Sequence, residues 1–398
     1  MIRKIFSLAC FGIGVFMYSG ANAIEYTAID NAPIEKLIKA CEAGDGDICR
    51  RVARAYFYGN NVKIDFKNAV LYHQKACDLD VGGSCNNLGY SYQEGLGVDV
   101  DMEKSCNAYL KGCNLNNNLA CINLANLYRD DDYGIPRNKD KAALLYAKAL
   151  KISEEKCADD DTEGCRGLAI LYNYGRGVKQ SDEKAFEYAL KTCNLNERRG
   201  CGMVGYSYQT GRGVEADLKQ AVFYFDKACS LKNLNSCFSA GQIYFLGGKG
   251  VKKAEKIAND YFSKACDLNN ANGCLYLGNN YKTGTGFRVD HRQSAYFYSK
   301  ACDLKSDLGC YNLAKAYRDG QGIKEDRKKA YDMFQSLCDK GMGKSCNRVG
   351  KMIEFGLIEV NDLRYLDFAA QAYAKGCDLG SKRSCDSLER LKNNISLK

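Results

Sequence analysis

The apolar positions of this chain follow one short rule that is applied repeatedly. Counting from a cysteine, an apolar residue stands three positions on and usually a tyrosine seven positions on, as in Cys85, Leu88, Tyr92 and in Cys310, Leu313, Tyr317. Spacings of three and four fall on one stripe of an α-helix, so the rule predicts a helix with a single buried face. A Gly-x-Gly-Val-like turn follows (Gly95-Leu96-Gly97-Val98, Gly211-Arg212-Gly213-Val214). Glycine there suits the left-handed residue that ends a helix. An aspartate then often takes a helix N-cap position (Asp65, Asp101, Asp217, Asp326), where its carboxylate accepts from exposed backbone amides. A second helix carries Ala and Tyr inward, as in the run from Gln220 to Cys229.

The cysteines set the period. Of the 22 in the chain, Cys10 and Cys106 stand alone. The others form pairs eight apart: Cys41/Cys49, Cys77/Cys85, Cys113/Cys121, Cys157/Cys165, Cys193/Cys201, Cys229/Cys237, Cys266/Cys274, Cys302/Cys310, Cys338/Cys346 and Cys377/Cys385. First cysteines recur every 36 residues, except for spacings of 44 after Cys113, 37 after Cys229 and 39 after Cys338. A fixed period of this size predicts an all-α solenoid, a curved αα-superhelix of about ten two-helix units over residues 24–398.

The first 23 residues read differently. Met1-Ile2-Arg3-Lys4 is basic, Ile5 to Tyr18 is apolar, and Ala21-Asn22-Ala23 offers small residues for cleavage. The expectation is a signal peptide cut near Ala23 and a secreted or periplasmic chain beginning near Ile24. Ser7-Leu8-Ala9-Cys10 is a poor lipidation site, because the apolar run continues past the cysteine. That run is also too short to span a bilayer. Losing Arg3 and Lys4 lowers the formal charge from +9 to +7. This scattered surplus makes no basic stripe, so nucleic acid is not an expected partner.

The pattern Tyr-x-x-Gly-x-Gly-Val…Asp…Lys-Ala…Tyr…Lys-Ala-Cys resembles the Sel1-like repeat, a relative of the tetratricopeptide repeat. With regular Cys-x7-Cys pairs behind a leader, the chain resembles the Helicobacter cysteine-rich protein family from about Pro33 to Cys385. That resemblance implies secretion, one disulfide per repeat, and a penicillin-binding or slow β-lactamase activity. It also implies contact with the host or the cell wall. The third unit departs from the pattern at Asp130 to Asp132 and in the extra residues Lys151 to Lys156, and the ninth departs at Phe355 to Leu363.

Each first cysteine ends one predicted helix and each second opens the next, which suits the separation a disulfide requires. Closing a nine-residue ring stabilises by about 2.5 kcal/mol on the loop-entropy estimate. Zinc sites favour closer cysteines with further ligands nearby, and redox pairs favour Cys-x-x-Cys, so structural staples are expected. Cys106 is left as a free thiol on a second helix. It reads either as a half-buried small residue or as a reactive group that could join two copies; otherwise a monomer is expected.

The residues supply no catalytic set. Ser-x-x-Lys occurs at Ser153/Lys156 and Ser181/Lys184, and Lys282-Thr283-Gly284 occurs once. By repeat alignment the triplet is a helix end, equivalent to Gln93-Glu94-Gly95, and Ser181 falls at the position of the capping aspartates. His73 and His291 lie six units apart, and both read as surface residues. The acidic runs at Asp130 to Asp132 and Asp159 to Gly164 lack the closing Glu of a calcium loop, since Ile170 stands there. No cofactor or metal is expected.

What remains is a surface. Solenoids bind along the concave face lined by first helices, and positions two and five after the second cysteine point away from the core stripe. They read Asn87/Tyr90, Asn123/Asn126, Gly167/Ile170, Met203/Tyr206, Ser239/Gln242, Tyr276/Asn279, Asn312/Lys315 and Arg348/Lys351. Asn can grip a peptide backbone or terminal carboxylate, and Tyr adds flat contact area. The series turns cationic toward the eighth and ninth units. It predicts a groove for a peptide, a peptidoglycan fragment, a β-lactam or a protein partner.

Overall fold

The computed structural model describes residues 32–130, 134–359 and 364–396. The proposed leader therefore lies outside the described residues, as do Asp131, Asp132 and residues 360–363. The described residues form twenty helices: α1 Ile34–Glu42, α2 Gly46–Tyr58, α3 Phe66–Asp78, α4 Gly82–Glu94, α5 Met102–Asn114, α6 Asn118–Arg129, α7 Lys139–Ala158, α8 Thr162–Tyr174, α9 Asp182–Asn194, α10 Arg198–Thr210, α11 Leu218–Ser230, α12 Leu234–Leu246, α13 Glu255–Asp267, α14 Ala271–Thr283, α15 His291–Asp303, α16 Asp307–Asp319, α17 Arg327–Asp339, α18 Gly343–Glu354, α19 Tyr365–Asp378 and α20 Lys382–Ser396. They fall into two compact units, Met1–Asn233 and Leu234–Lys398. Within each unit every helix packs against the next in sequence, the order expected of a stacked αα-repeat.

Both units are built by the same local devices. Asp65, Asp101 and Asp326 each accept from the backbone amide three residues on, at 2.8 to 3.0 Å. Ser181 does the same for Lys184, at 3.2 Å. Each capping residue also donates its own amide to the carbonyl of the tyrosine in the preceding helix, as Asp217 does to Tyr208 at 2.9 Å. The tyrosines are half-buried. Where the second helix supplies a ring sixteen residues on, they stack on it, Tyr172 on Tyr188 at 5.7 Å and Tyr208 on Tyr224 at 5.6 Å.

The two glycines of the turn have separate causes. Gly211 ends α10 in the left-handed conformation, with φ of 73°. A Cβ on Gly213 would stand 2.0 Å from the Asp182 carbonyl oxygen, at the start of the previous repeat's second helix. The first glycine therefore turns the chain, and the second lets repeats touch backbone to backbone.

The cysteine pairs join the end of one helix to the start of the next. Cys41–Cys49, Cys77–Cys85, Cys113–Cys121, Cys157–Cys165, Cys193–Cys201, Cys266–Cys274, Cys302–Cys310, Cys338–Cys346 and Cys377–Cys385 are disulfides with Cα separations of 4.4 to 4.7 Å. Cys229 and Cys237 are disulfide-bonded as well. The extra residues Lys151 to Lys156 lengthen α7 to 20 residues and place Ile152 in the core.

Four residues before six of the first cysteines, the second helix turns an aromatic ring inward: Tyr109, Phe225, Phe262, Tyr298, Phe334 and Tyr373, none more than 3% exposed. Opposite stands a small residue. At Gly278 a Cβ would meet the Tyr298 ring at 2.6 Å. Alanine in place of a helical glycine ordinarily stabilises by about 1 kcal/mol. Here a Cβ would overlap the ring unless the ring shifts, so Gly278→Ala should destabilise by about 1–3 kcal/mol, the range for overpacking. Thermal melting checks this, and a raised Tm would show that the ring can move aside.

His73 is the first repeat's occupant of that ring position, which corrects its expected placement on the surface. It is 0% exposed, with Nδ1 3.4 Å from Ser84 Oγ and Nε2 3.3 Å from Asn87 Nδ2. Burial, and then the charges of Arg54 and Arg50, lower its pKa from 6.5 to about 3. His291 is exposed at the start of α15.

Candidate functional site

The first-helix face holds fewer accessible side chains than its spacing suggests. Asn87 is fully buried and holds His73, so its expected role as a ligand contact is corrected. Asn123 is half-buried and donates to Asn86 Oδ1 at 2.8 Å. Asn126 accepts from the Tyr146 hydroxyl at 2.6 Å. Tyr90 and Ile170 pack against the core around Tyr109. A Cβ at Gly167 would meet Asn118 Nδ2 at 2.1 Å, so no side chain could occupy that point. Met203 packs against the core of α8 to α11, whereas Tyr206 is 43% exposed.

In the second unit the same positions converge. Asn279 Oδ1 accepts from the Tyr298 hydroxyl at 2.8 Å and from Asn312 Nδ2 at 3.4 Å. Position five of one repeat thus meets position two of the next. The register continues one residue set further with Lys315 and Arg348. Lys315 is half-buried, and its pKa is lowered, first by burial and then by Lys282, Arg348 and Arg318. Arg318 is held by Asp319 at 2.6 Å, and Arg348 donates to the Tyr311 hydroxyl at 3.0 Å. Tyr276 lies against Phe238, Phe245 and Phe262, with centroids 4.9 to 5.8 Å apart. Ser239 and Gln242 are half-buried on α12, and Lys351 on α18.

Four further residues bear on this face and lie outside the series of positions two and five given above. Tyr298 belongs to a core ring position, yet its hydroxyl reaches the face. Lys282 was read only as part of Lys-Thr-Gly, although it lies one further step of three along the face from Asn279. Arg51 and Arg54 stand two and five after Cys49 and extend the series to the first repeat. Lysine and arginine at that spacing were the available signal.

The residues considered for chemistry have structural partners. Ser181 caps α9. Ser153 is buried and accepts from Asn118 Nδ2 at 2.8 Å. Thr283 donates to the Asn279 carbonyl in the last turn of α14. Asp161 caps α8, accepting from the amides of Glu163 and Gly164, and Asp160 pairs with Lys191 at 2.8 Å. Cys106 is the free cysteine among the described residues, and burial pushes its thiol pKa up. No described helix is long and apolar enough to cross a membrane.

Disulfide-stapled helix pairs, stacked with an amide and cationic first-helix face, define an αα-repeat interaction scaffold. The Sel1 repeat pattern matches residues 48–81, 83–117, 118–151, 162–197, 199–233, 234–270, 271–306 and 308–342, and the chain belongs to that family. It is a cysteine-rich member, similar to Helicobacter pylori cysteine rich protein B: 35% identity over 33% of this chain and 93% of that one, TM-score 0.27. It is also similar to the Sel1 repeat protein of Oxalobacter formigenes, with 17% identity, 87% and 98% coverage and TM-score 0.49. A third similar structure is c5321 of uropathogenic Escherichia coli, described as a protective antigen displaying an SLR fold, with 18% identity, 92% and 91% coverage and TM-score 0.41. No curated protein matches the chain.

Proposed function

We propose that the chain is an exported scaffold that holds a carboxylate-bearing peptide segment on the first-helix face of its second unit. The contact of Asn279 with Asn312, beside Lys315, carries this reading. An Asn pair can bracket a peptide unit with donors and acceptors. Lys315, crowded by three cations and partly desolvated, gains more from a carboxylate than a solvated lysine would. Cell-wall stem peptides and protein C-termini both supply that group. The many disulfides support an oxidising compartment.

Fluorescence anisotropy with acidic peptides bearing either a free or an amidated C-terminus tests the reading. Lys315→Ala and the Asn279→Ala/Asn312→Ala pair should each weaken free-acid binding about ten-fold or more, the scale of a lost charged hydrogen bond. Amidation should do the same. Equal binding by all variants would place the ligand elsewhere.

A further inference from the structure

The largest fully buried side chain among the described residues is an arginine. Arg166, on α8, is 1% exposed, and none of Nε, Nη1 and Nη2 has a hydrogen-bond partner. A guanidinium is charged at every accessible pH and presents five donors. Burying such a cation without acceptors costs several kcal/mol, and proteins pair or neutralise buried charge.

The surroundings sharpen the problem. Arg199, in the first turn of α10, is 5% exposed, and its pKa falls well below the usual value because of burial and the field of Arg166. Two guanidinium groups on the first helices of successive repeats thus face low-dielectric surroundings together, and each raises the other's cost. The charge of Glu197 partly offsets that cost at Arg199, whereas Arg166 has no hydrogen-bonded acceptor. Glu163 takes a hydrogen bond from Asn117 Nδ2 on its Oε1. Glu197 accepts from the backbone amides of Arg199 and Gly200 on its Oε2, at 2.9 and 2.8 Å. The end of α2 lies against this region, with the Arg198 guanidinium over the Tyr58 ring at 5.4 Å.

We propose that the first unit contains an oxyanion-binding site in which Arg166 provides a bidentate edge and Arg199 a second cationic wall. The ligand is a carboxylate or a phosphoryl group, either a free ion or the anionic end of a larger molecule. The planar guanidinium fork matches both, because both present two oxygens at the spacing of its parallel N–H bonds. The site lies in a different unit from the Asn279–Lys315 face and does not depend on it.

Wild-type protein is titrated with sodium phosphate and separately with sodium acetate, in a chloride background of constant ionic strength. Saturable one-to-one binding by calorimetry is expected, with a Tm that rises with the logarithm of anion concentration. Arg166→Met should weaken binding at least ten-fold while melting no lower than anion-free wild type, because it removes an uncompensated buried cation. Phosphate selectivity would mark a phosphoryl ligand, and equal or better acetate binding a carboxylate; either supports the site. Should Arg166→Met fail to fold, the Arg166 Nε–H resonance of 15N-labelled wild type takes its place and should shift along the same isotherm. Absence of saturable binding of both anions, with that resonance unmoved, would overturn the proposal.

Discussion

Full reduction should unfold the chain at room temperature. Most helices are about 13 residues long, a length at which isolated helices are marginal in water. Their core positions hold many alanines and glycines, which bury little apolar surface each. Each ring contributes about 2.5 kcal/mol by chain entropy. Ten of them exceed the roughly 5–15 kcal/mol by which native domains are ordinarily stable. Far-UV circular dichroism before and after a thiol reductant should show more than half the helical signal lost. Survival of that signal with an unchanged melting profile would assign the stability to packing alone. The chain without residues 1–23 should also yield one titratable thiol when denatured without reductant, namely Cys106. Three or more would mean incomplete pairing.

Acid should weaken the first repeats before the rest, through His73. Its folded pKa lies near 3, below the roughly 6.5 of an unfolded chain. Above about pH 6.5 both states hold the ring neutral and the histidine adds no pH dependence. As pH falls toward 3, the unfolded chain takes up a proton that the folded chain excludes. Stability therefore declines by about 1.4 kcal/mol per pH unit across that window. Between about pH 6.5 and 4.5 the loss is roughly 2–3 kcal/mol, local to the repeats that enclose the ring. His73→Phe places the ring type that Phe225, Phe262 and Phe334 already supply at the equivalent position. It leaves Ser84 and Asn87 with unmet polar groups, so its stability at neutral pH should be lower. Its loss between neutral and mildly acidic pH should nevertheless be smaller than the wild type's. Hydrogen exchange of α2 to α4 at both pH values reads the difference, and parallel acid profiles would show that His73 stays neutral in neither state or in both.

The repeat architecture was legible because cysteine fixes the register of every unit. Once the pairs are aligned, the caps at Asp65, Asp101, Ser181 and Asp326 fall in place, as do the turn glycines. The misreadings came from treating each helix alone. A lone amphipathic helix has a wide outward arc, but a helix inside a stack has neighbours on both flanks and keeps a narrow exposed strip. Asn87 fell on the covered flank, and Asn123 and Asn126 are engaged from their neighbours. His73 looked polar and therefore external; its place four residues before Cys77, shared with Tyr109 and Phe225, marked it as core. Arg166 carried no such mark. No spacing within one repeat encodes its burial.

The nine-residue ring also governs how such a chain can be made and how it can change length. In proteins whose cysteines pair across the whole sequence, early oxidation traps wrong partners and isomerisation must undo them. In a chain exported as proposed, each cysteine would reach the oxidising side of a membrane only eight residues from its mate, before the following pair had emerged. Correct pairing can thus follow the order of translocation. A duplicated or deleted repeat brings or removes one complete pair and leaves every other cysteine with the partner it had.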